Sequence, residues 1–187
     1  MSISEIIENR RATPPRFLQE EKISKETITQ LLESANWAPN HKKTEPWRFK
    51  IYTGDAKQEL ADEVHRFLKD KAETEEIVVP NKVEKLKSNL ERVPVVIVII
   101  MERDKAERIP EWEEIAAVSM AVQNMWLSAT DKGLGAFWAT PQFMPLLENL
   151  LGLKPGQKAL GFFYVGKISM EYPSPGRGGI DSKTEWY

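Results

Sequence analysis

The sequence predicts an α+β fold in which helices sandwich a central mixed sheet. Segments with helical spacing of apolar residues and segments with strand-like alternation follow one another without a regular repeat. Two runs, VPVVIVIIM at 93–101 and KALGFFYVG at 158–166, are too continuously apolar to be sheet edges. A doubly wound nucleotide-binding fold is disfavoured, because neither G-x-G-x-x-G nor G-x-x-x-x-G-K-[ST] follows a strand. We expect one domain, residues 1–187.

The N-terminal third is expected to contain three helices and one strand. Apolar spacing predicts a helix at 3–9, and the prolines of ATPPRF at 12–17 then favour extended backbone. Ser24 can cap a second helix, which Pro39 should stop. WRFKIY alternates like a strand, and a third helix should run from Gly54 to about residue 71.

The middle of the chain is expected to begin with a surface connection at 72–80. Its acidic and polar composition is typical of a mobile segment, and it is a candidate for a lid. An amphipathic helix at 81–91 should follow and lead into the buried strand at 93–101. Residues 112–132 predict a long helix, apolar or small nearly all round, which belongs in a core or against a partner subunit.

The C-terminal part should contain two strands separated by a helix. GAFWA at 135–139 predicts the first strand, and TPQFMPLLENLLG at 140–152 predicts the helix. KGLGAF should supply the C-cap that turns the long helix into this strand. After the strand at 158–166, the tail at 170–187 is rich in Pro and Gly and should extend over a neighbouring surface.

Composition excludes several classes of function. The formal net charge of −2 and the pI near 5.9 give no basic field for nucleic acid. The absence of cysteine removes disulfides, thiolate metal sites and thiol nucleophiles, and the presence of only two histidines disfavours a histidine metal site. No signal peptide or membrane span is recognisable, so we expect a soluble, cytoplasmic protein.

WAPNHKKTEPWRF at 37–49 concentrates flat and cationic side chains in one turn-rich segment. Trp37 and Trp47 could cover the faces of a planar ligand while His41, Lys42 and Lys43 donate to its oxygens. The alternative is a helix-to-strand connection with Trp47 in the core and solvated lysines. The segment alone does not decide between them.

Three other segments offer donors for a ligand, and each has a purely structural alternative. Arg10 and Arg11 could hold a phosphate or carboxylate, or could simply favour a helix C-terminus. Backbone amides near 138–140 could approach a ligand, or the glycines before them could only form a turn. Arg177 in PSPGRGG could close on a phosphate, or could belong to a solvated tail.

Taken together, these segments resemble the nitroreductase family of FMN-dependent oxidoreductases, particularly its short, minimal branch. The resemblance covers nearly the whole chain and depends on the order and spacing of five pieces. They are NRRATPPRF, APNHKKTEPWRF, RVPVVIVI, QNMWLSATDKGLGAFWAT and GFFYVGK. It implies a homodimer with two FMN sites at the subunit interface, each built from both chains.

The resemblance also implies which residues bind FMN. In chain order they are Arg10, Arg11, Ala12, Trp37, His41, Trp138, Ala139, Thr140 and Arg177. The arginine pair would hold the phosphate and the ring-edge region, residues 138–140 would lie beside the isoalloxazine, and Arg177 would be a second phosphate ligand. Ala12 departs from the serine usual in the family, so a hydroxyl contact is lost unless Thr13 replaces it. The doubled proline before Arg16 leaves the role of that arginine open.

The implied activity is hydride transfer from NAD(P)H through bound FMN to an acceptor such as a nitroaromatic or quinone. In this ping-pong cycle the cofactor carries the chemistry, so no side chain need act as acid or base and no metal is required. Two alternatives stay open. One is a flavoprotein of the same fold with another specialised substrate, and the other is a flavin-binding or scaffold protein without turnover.

Overall fold

The computed structural model describes residues 1–170 and 176–187. Five α-helices in this part of the chain are α1 (Ile3–Asn9), α2 (Lys25–Asn36), α3 (Gly54–Lys71), α4 (Pro80–Arg92) and α5 (Glu111–Asp131). The strands are β1 (Leu18–Gln19), β2 (Trp47–Thr53), β3 (Val95–Glu102), β4 (Leu134–Ala139) and β5 (Gln157–Ile168). The α+β prediction is therefore confirmed.

Serine residues cap the first two helices, and the cap at Ser24 was predicted from the sequence. The Ser2 hydroxyl accepts from the Glu5 backbone in a capping box at α1, and the Ser24 hydroxyl accepts from Thr27 at α2. Gly133, with φ +69°, follows the last turn of α5 and lets the chain enter β4, as KGLGAF predicted.

The sheet is organised around β5, which pairs with β1, β3 and β4, while β2 pairs with β3. All four strand pairs are antiparallel, so the expectation of a mixed sheet is corrected. In the described residues, parallel pairing occurs only at the isolated bridge between Ala12 and Ala136. Two helices, α3 and α4, connect β2 to β3. Each helix carries the chain once along the length of the sheet, so two helices bring β3 in antiparallel to β2, whereas a single crossover helix would bring it in parallel.

Strand β3 divides the core into two layers. Val96, Val98 and Ile100 pack with α3 and α4, whereas the alternate residues of the same strand pack with α2 and α5. Residues 95–101 are each at most 1% exposed. The prediction of a strand buried on both faces is confirmed.

The helix predicted at TPQFMPLLENLLG is replaced by turns and a short 3₁₀ helix at Met144–Leu147. Pro145 lacks an N–H and disfavours helical backbone at the residue before it, so a continuous α-helix across it is disfavoured. The apolar residues of the segment are still buried, namely Phe143, Met144, Leu147 and Leu151. No α-helix begins at Thr140, and the helix N-terminal donors expected there do not exist.

The connection at 72–80 is anchored at one position. It contains turns, and Val78 within it is 2% exposed and belongs to the core beside α3 and α4. Its neighbour Ile77 is exposed. Mobility of this connection stays a prediction, and any movement would have to withdraw Val78 from the core.

Candidate functional site

A cleft of about 490 Å³ opens beside the end of β4. Its lining combines the turn at 14–16, the connection before α4, one face of α4 and the chain from β4 into the following turn. The lining residues are Pro14, Pro15, Arg16, Ile77, Lys82, Lys85, Leu86, Asn89, Phe137, Trp138, Ala139, Thr140, Pro141, Gln142, Phe143 and Tyr164. The volume lies within the range usual for small-molecule sites.

A bulge in β5 shapes the wall of this cleft. The β3–β5 register shifts so that Ile99 faces Gly161 and Ile100 faces Ala159, which leaves Leu160 without a partner in β3. The Leu160 carbonyl accepts instead from the Trp138 indole at 3.1 Å. This hydrogen bond fixes the orientation of Trp138.

Gly161 is required beside this wall. Its φ is +136°, and a Cβ there would lie 2.2 Å from the Ala139 carbonyl oxygen and 2.7 Å from Trp138 Nε1. Only a residue without a side chain lets β4 approach so closely. The bulge and this glycine therefore place Trp138, Ala139 and Thr140 along one side of the cleft.

Tyr164 contributes a polar group with no protein partner to the cleft. The residue is 0% exposed, and its hydroxyl has no hydrogen-bond partner among the residues that the structure describes. Burial raises the pKa of the Tyr164 phenol well above its ordinary value, so the group stays protonated and can donate. The hydroxyl itself is enclosed, so a ligand atom in the cleft could become its partner only after the lining side chains shift.

Arg10, Arg11 and Arg177 form a cationic cluster near the C-terminal part of α5. The Arg10 guanidinium lies 4.8 Å from the centre of the Trp126 ring. Burial lowers the pKa of Arg10, and the positive charges of Arg177 and Arg11 lower it further. The mutual repulsion of three cations is relieved when an anion binds between them.

Arg11 also has a structural role. Its guanidinium donates to the Glu8 carbonyl and, at 2.9 Å, to the Arg10 carbonyl, where α1 ends. The Trp126 indole donates to the Arg11 carbonyl at 3.0 Å. Within one protomer, Arg11 therefore acts as a residue that stabilises the C-terminus of α1, which was the structural alternative for the arginine pair. Arg10 instead points its charge toward Trp126.

Ala12 and Thr13 attach the arginine pair to the sheet. Ala12 bridges to Ala136, and the Thr13 N–H donates to the Ala136 carbonyl at 2.9 Å. Thr13 is buried, and its Cβ lies 3.1 Å from the point that a Cβ added at Gly135 would occupy. This close packing fixes the path of the chain from the arginines to the cleft.

Trp37 and His41 lie in the turn between α2 and β2. Trp37 is 86% exposed, and His41 Nδ1 lies 2.7 Å from the Glu113 carboxylate at the start of α5. Trp47, by contrast, is buried, and its indole donates to Asn36 at 3.0 Å. The segment thus supplies one exposed indole and one core indole.

The backbone of the same turn is strained. Lys42 and Lys43 adopt positive φ, a sparsely populated conformation for residues other than glycine. The Asn40 side chain accepts from the Glu45 N–H at 3.1 Å and helps to hold this turn. Strain of this kind is typical of functional loops.

The predicted residues therefore occupy three places within one protomer. Residues 138–140 line the cleft, and the arginine cluster lies beside Trp126. His41 contacts Glu113, thirteen residues earlier on α5 and hence about 20 Å away along the helix axis. One copy of the chain does not bring His41 to the arginine cluster.

Sequence reasoning missed several residues of the site. Lys82, Lys85 and Asn89 share one face of the helix that was recognised only as amphipathic, and their spacing was the available signal. Trp126 lay within a segment that supported the family resemblance but was not singled out. Tyr164 gave no signal, because a tyrosine in an apolar strand is typical of a core.

Neither a metal centre nor a membrane span was found in residues 1–170 and 176–187. This part of the chain groups no three His, Cys, Asp or Glu side chains as a metal site would require. None of its helices combines the length and apolar character needed to cross a bilayer.

Comparison with known proteins identifies the family. The family model described as "Nitroreductase family" matches residues 7–167. The chain belongs to the nitroreductase family. It is 31% identical over 166 residues to YfhC of Bacillus subtilis (strain 168), covering 88% of this chain and 83% of that protein. The name of YfhC assigns it provisionally as an NAD(P)H nitroreductase.

Solved structures of other nitroreductase-type proteins share the fold. A nitroreductase-like family protein from Bacillus cereus superposes with a TM-score of 0.83 at 29% identity, covering 100% of this chain and 96% of that one. A provisionally named nitroreductase from Desulfovibrio desulfuricans, crystallised with FMN, has a TM-score of 0.74 at 24% identity. That match covers 100% of this chain and 98% of the Desulfovibrio chain. The second likeness shows the fold alone.

Proposed function

We propose that this nitroreductase-family protein is an FMN-dependent oxidoreductase that carries electrons from NAD(P)H to an acceptor such as a nitroaromatic or quinone. The observation that carries the proposal is the cleft beside Trp138–Thr140, with the unpaired Tyr164 hydroxyl in its lining. The Bacillus subtilis relative is named for NAD(P)H, and the Desulfovibrio structure contains FMN.

The residues present fit FMN on three counts. Arg10, Arg11 and Arg177 lie close enough for their charges to interact, which suits a phosphate. Aromatic and small residues of β4 line a cleft that suits a planar ring system. The Tyr164 phenol has no partner among the described residues, and a small shift of the lining would let it donate to a ring carbonyl oxygen or nitrogen.

FMN, when bound, supplies the redox chemistry, and the protein supplies binding, orientation and electrostatics. The arginine cluster would hold the phosphate, with Ala12 leaving the family's usual hydroxyl contact unmade. The bulge at Leu160 holds Trp138 in the cleft wall and keeps Ala139 and Thr140 at its edge. Apolar lining residues exclude water from the reacting face.

The net reaction balances without a side-chain acid or base. NAD(P)H gives two electrons and one proton, and a second proton comes from water. A nitro group that accepts them becomes a nitroso group and releases one water molecule. The two substrates would use the same cleft in turn, which is a ping-pong cycle. We place this activity in the cytoplasm, because a chain without cysteine needs no oxidising compartment to form disulfides.

We further propose that the site is completed in a homodimer. In an isologous pair, the partner's α5 can run antiparallel to this α5, which brings the His41 end of one helix to the Arg10 end of the other. The midpoint between Glu113 and Trp126 falls at Ser119–Met120. Apolar surface is exposed along this helix, with Met120 at 40% and Trp112 at 67%, and Trp37 extends it.

The dimer has a direct test in light scattering of the purified protein at micromolar concentration. A mass near twice 21.4 kDa is expected. A stable monomer would remove the proposed two-copy site and leave Trp37 and His41 outside any flavin site.

The activity is tested by the visible spectrum of the protein as isolated, followed by anaerobic NADPH and then a nitroaromatic. We expect a yellow preparation that NADPH bleaches and the nitroaromatic re-oxidises. A bleached protein that no nitroaromatic or quinone re-oxidises would indicate a flavoprotein with another substrate. A protein that holds flavin without bleaching would be a binder, and one that stays colourless with added FMN would contradict the whole proposal.

A further inference from the structure

The cleft beside β4 has an unusual charge. Its lining includes three cations, Arg16, Lys82 and Lys85, and no Asp or Glu among the lining residues that the structure describes. Over the whole chain, acidic residues outnumber basic ones, 28 to 26. The local excess of positive charge is therefore a property of this cleft.

In the part of the chain that the structure describes, no ion pair of the neighbouring helices neutralises these cations. On α4, the ion pairs use Glu84 with His65 at 2.9 Å and Lys87 with Asp62 at 3.0 Å, on the side that faces α3. Lys82 and Lys85 are three residues apart on the same helix and lie side by side, so their charges repel.

Arg16 approaches the two lysines from the other wall. The 3₁₀ turn Pro15–Phe17 packs against α4, and the Arg16 guanidinium lies 4.8 Å from the centre of the Phe17 ring. An aromatic contact leaves the charge of a guanidinium uncompensated. An anion in the cleft would therefore meet positive groups from two walls.

The rest of the lining suits a flat apolar body. Pro14, Pro15, Leu86, Phe137 and Phe143 supply apolar surface next to the cations. The face of α4 from Lys82 to Asn89 spans about 10 Å. Isoalloxazine carries at most one negative charge along its edge, so the two lysines of this face together with Arg16 of the opposite wall exceed what the ring of the proposed cofactor needs.

We propose that the cleft selects electron acceptors in which an aromatic ring carries an anionic group, such as a carboxylate. Arg16, Lys82 and Lys85 attract the anion, and the apolar lining holds the ring. The inference rests on the proposed function and specifies its substrate class. The phosphates of NAD(P)H have the same charge chemistry, and the experiment below separates the two sources.

The test compares 4-nitrobenzoate with its neutral analogue 4-nitrobenzamide in steady-state kinetics, for the FMN-loaded wild type and for the double variant Lys82→Gln/Lys85→Gln. The measured quantity is the ratio of kcat/KM for the anionic acceptor to that for the neutral one. The intrinsic reactivities of the two compounds cancel when this ratio is compared between proteins. We expect the double variant to lower the ratio about tenfold, roughly threefold for each exposed charge.

Two controls accompany the variant. Lys87→Gln removes the same charge from the α3 side of the same helix and should leave the ratio unchanged. Raising the salt concentration to about 0.5 M should shrink the wild-type ratio toward that of the double variant, because ions screen partly exposed charges.

A separate arm measures kcat/KM for NADPH and NADH. A fall in the NADPH preference with an unchanged acceptor ratio would assign the cations to the nucleotide phosphates and overturn the inference. FMN loss in the double variant with an unchanged ratio would assign them to the cofactor and also overturn it. If wild type holds no FMN or reduces neither acceptor, the proposed function itself fails, which is a distinct result.

Discussion

Tyr164→Phe should change the stability of the protein and its affinity for FMN in opposite directions. The hydroxyl is buried and unpaired, and leaving such a group unsatisfied costs about 1–3 kcal/mol. Phenylalanine keeps the ring and its stacking on Phe162, at 6.4 Å between ring centres. The FMN-free variant should therefore be more stable by about 1 kcal/mol, which raises Tm by about 2–4 °C for a chain of this size.

The FMN complex should respond in the other direction. If the hydroxyl donates to the bound ring, its loss removes a net contribution of about 0.5–1.5 kcal/mol, which weakens FMN binding by about two- to tenfold. Thermal unfolding with and without FMN, at one fixed protein concentration, measures both effects. Tyr52→Phe is the matched control, because Tyr52 packs against the same core outside the cleft lining. An FMN-free variant no more stable than wild type, with unchanged FMN affinity, would refute the reasoning.

Three further predictions address the cationic cluster, a buried carboxylate and pH. Arg10→Ala should weaken FMN retention about ten- to a hundredfold, because a charge-assisted contact to phosphate contributes roughly 1.5–3 kcal/mol. Fluorescence titration measures this, and unchanged affinity would remove Arg10 from the site. Glu114→Gln breaks the ion pair between Arg103 and a fully buried carboxylate, and should lower the free energy of unfolding in urea by about 3 kcal/mol. Glu113→Gln breaks the more exposed contact with His41 and should lower the free energy of unfolding by under about 1 kcal/mol. Equal losses in the two variants would contradict the conclusion that burial makes the Glu114 pair the stronger one. Hydrogen bonds from Arg108 lower the pKa of Asp104 to about 2, so this carboxylate stabilises the fold above about pH 4 and less as pH falls toward 2. Asp104→Asn should flatten the plot of unfolding free energy against pH between about pH 4 and 2. An unchanged slope in that range would show that Asp104 does not contribute this pH dependence.

Local patterns predicted most of the secondary structure. The apolar run that became β3, the cap at Ser24 and the glycine turn after α5 each depend on residues adjacent in sequence. The prediction of a helix at 140–152 was wrong because Pro145 interrupts the segment that the residues at its start favoured as a helix. The mixed sheet was wrong because strand direction depends on how many times the chain crosses between strands.

The candidate site was less accessible to sequence reasoning. The residues at 138–140 left a ligand site and a plain turn as alternatives, and only the family resemblance favoured the ligand site. The bulge at Leu160 that positions these residues is a property of strand pairing. The cations of α4 meet Arg16 from a segment more than sixty residues away. Contacts between residues so far apart in sequence depend on tertiary packing, and the spacing of residues within one helix or strand does not predict them.

The separation of His41 from Arg10 along α5 has a genetic consequence for the proposed dimer. Each site would take its histidine end from one copy and its arginine end from the other. When a copy lacking Arg10 associates with a copy lacking His41, both lesions fall into the same site, and the second site contains only intact groups. Two individually defective alleles could thus complement each other in one cell and restore up to half of the wild-type sites per mixed assembly.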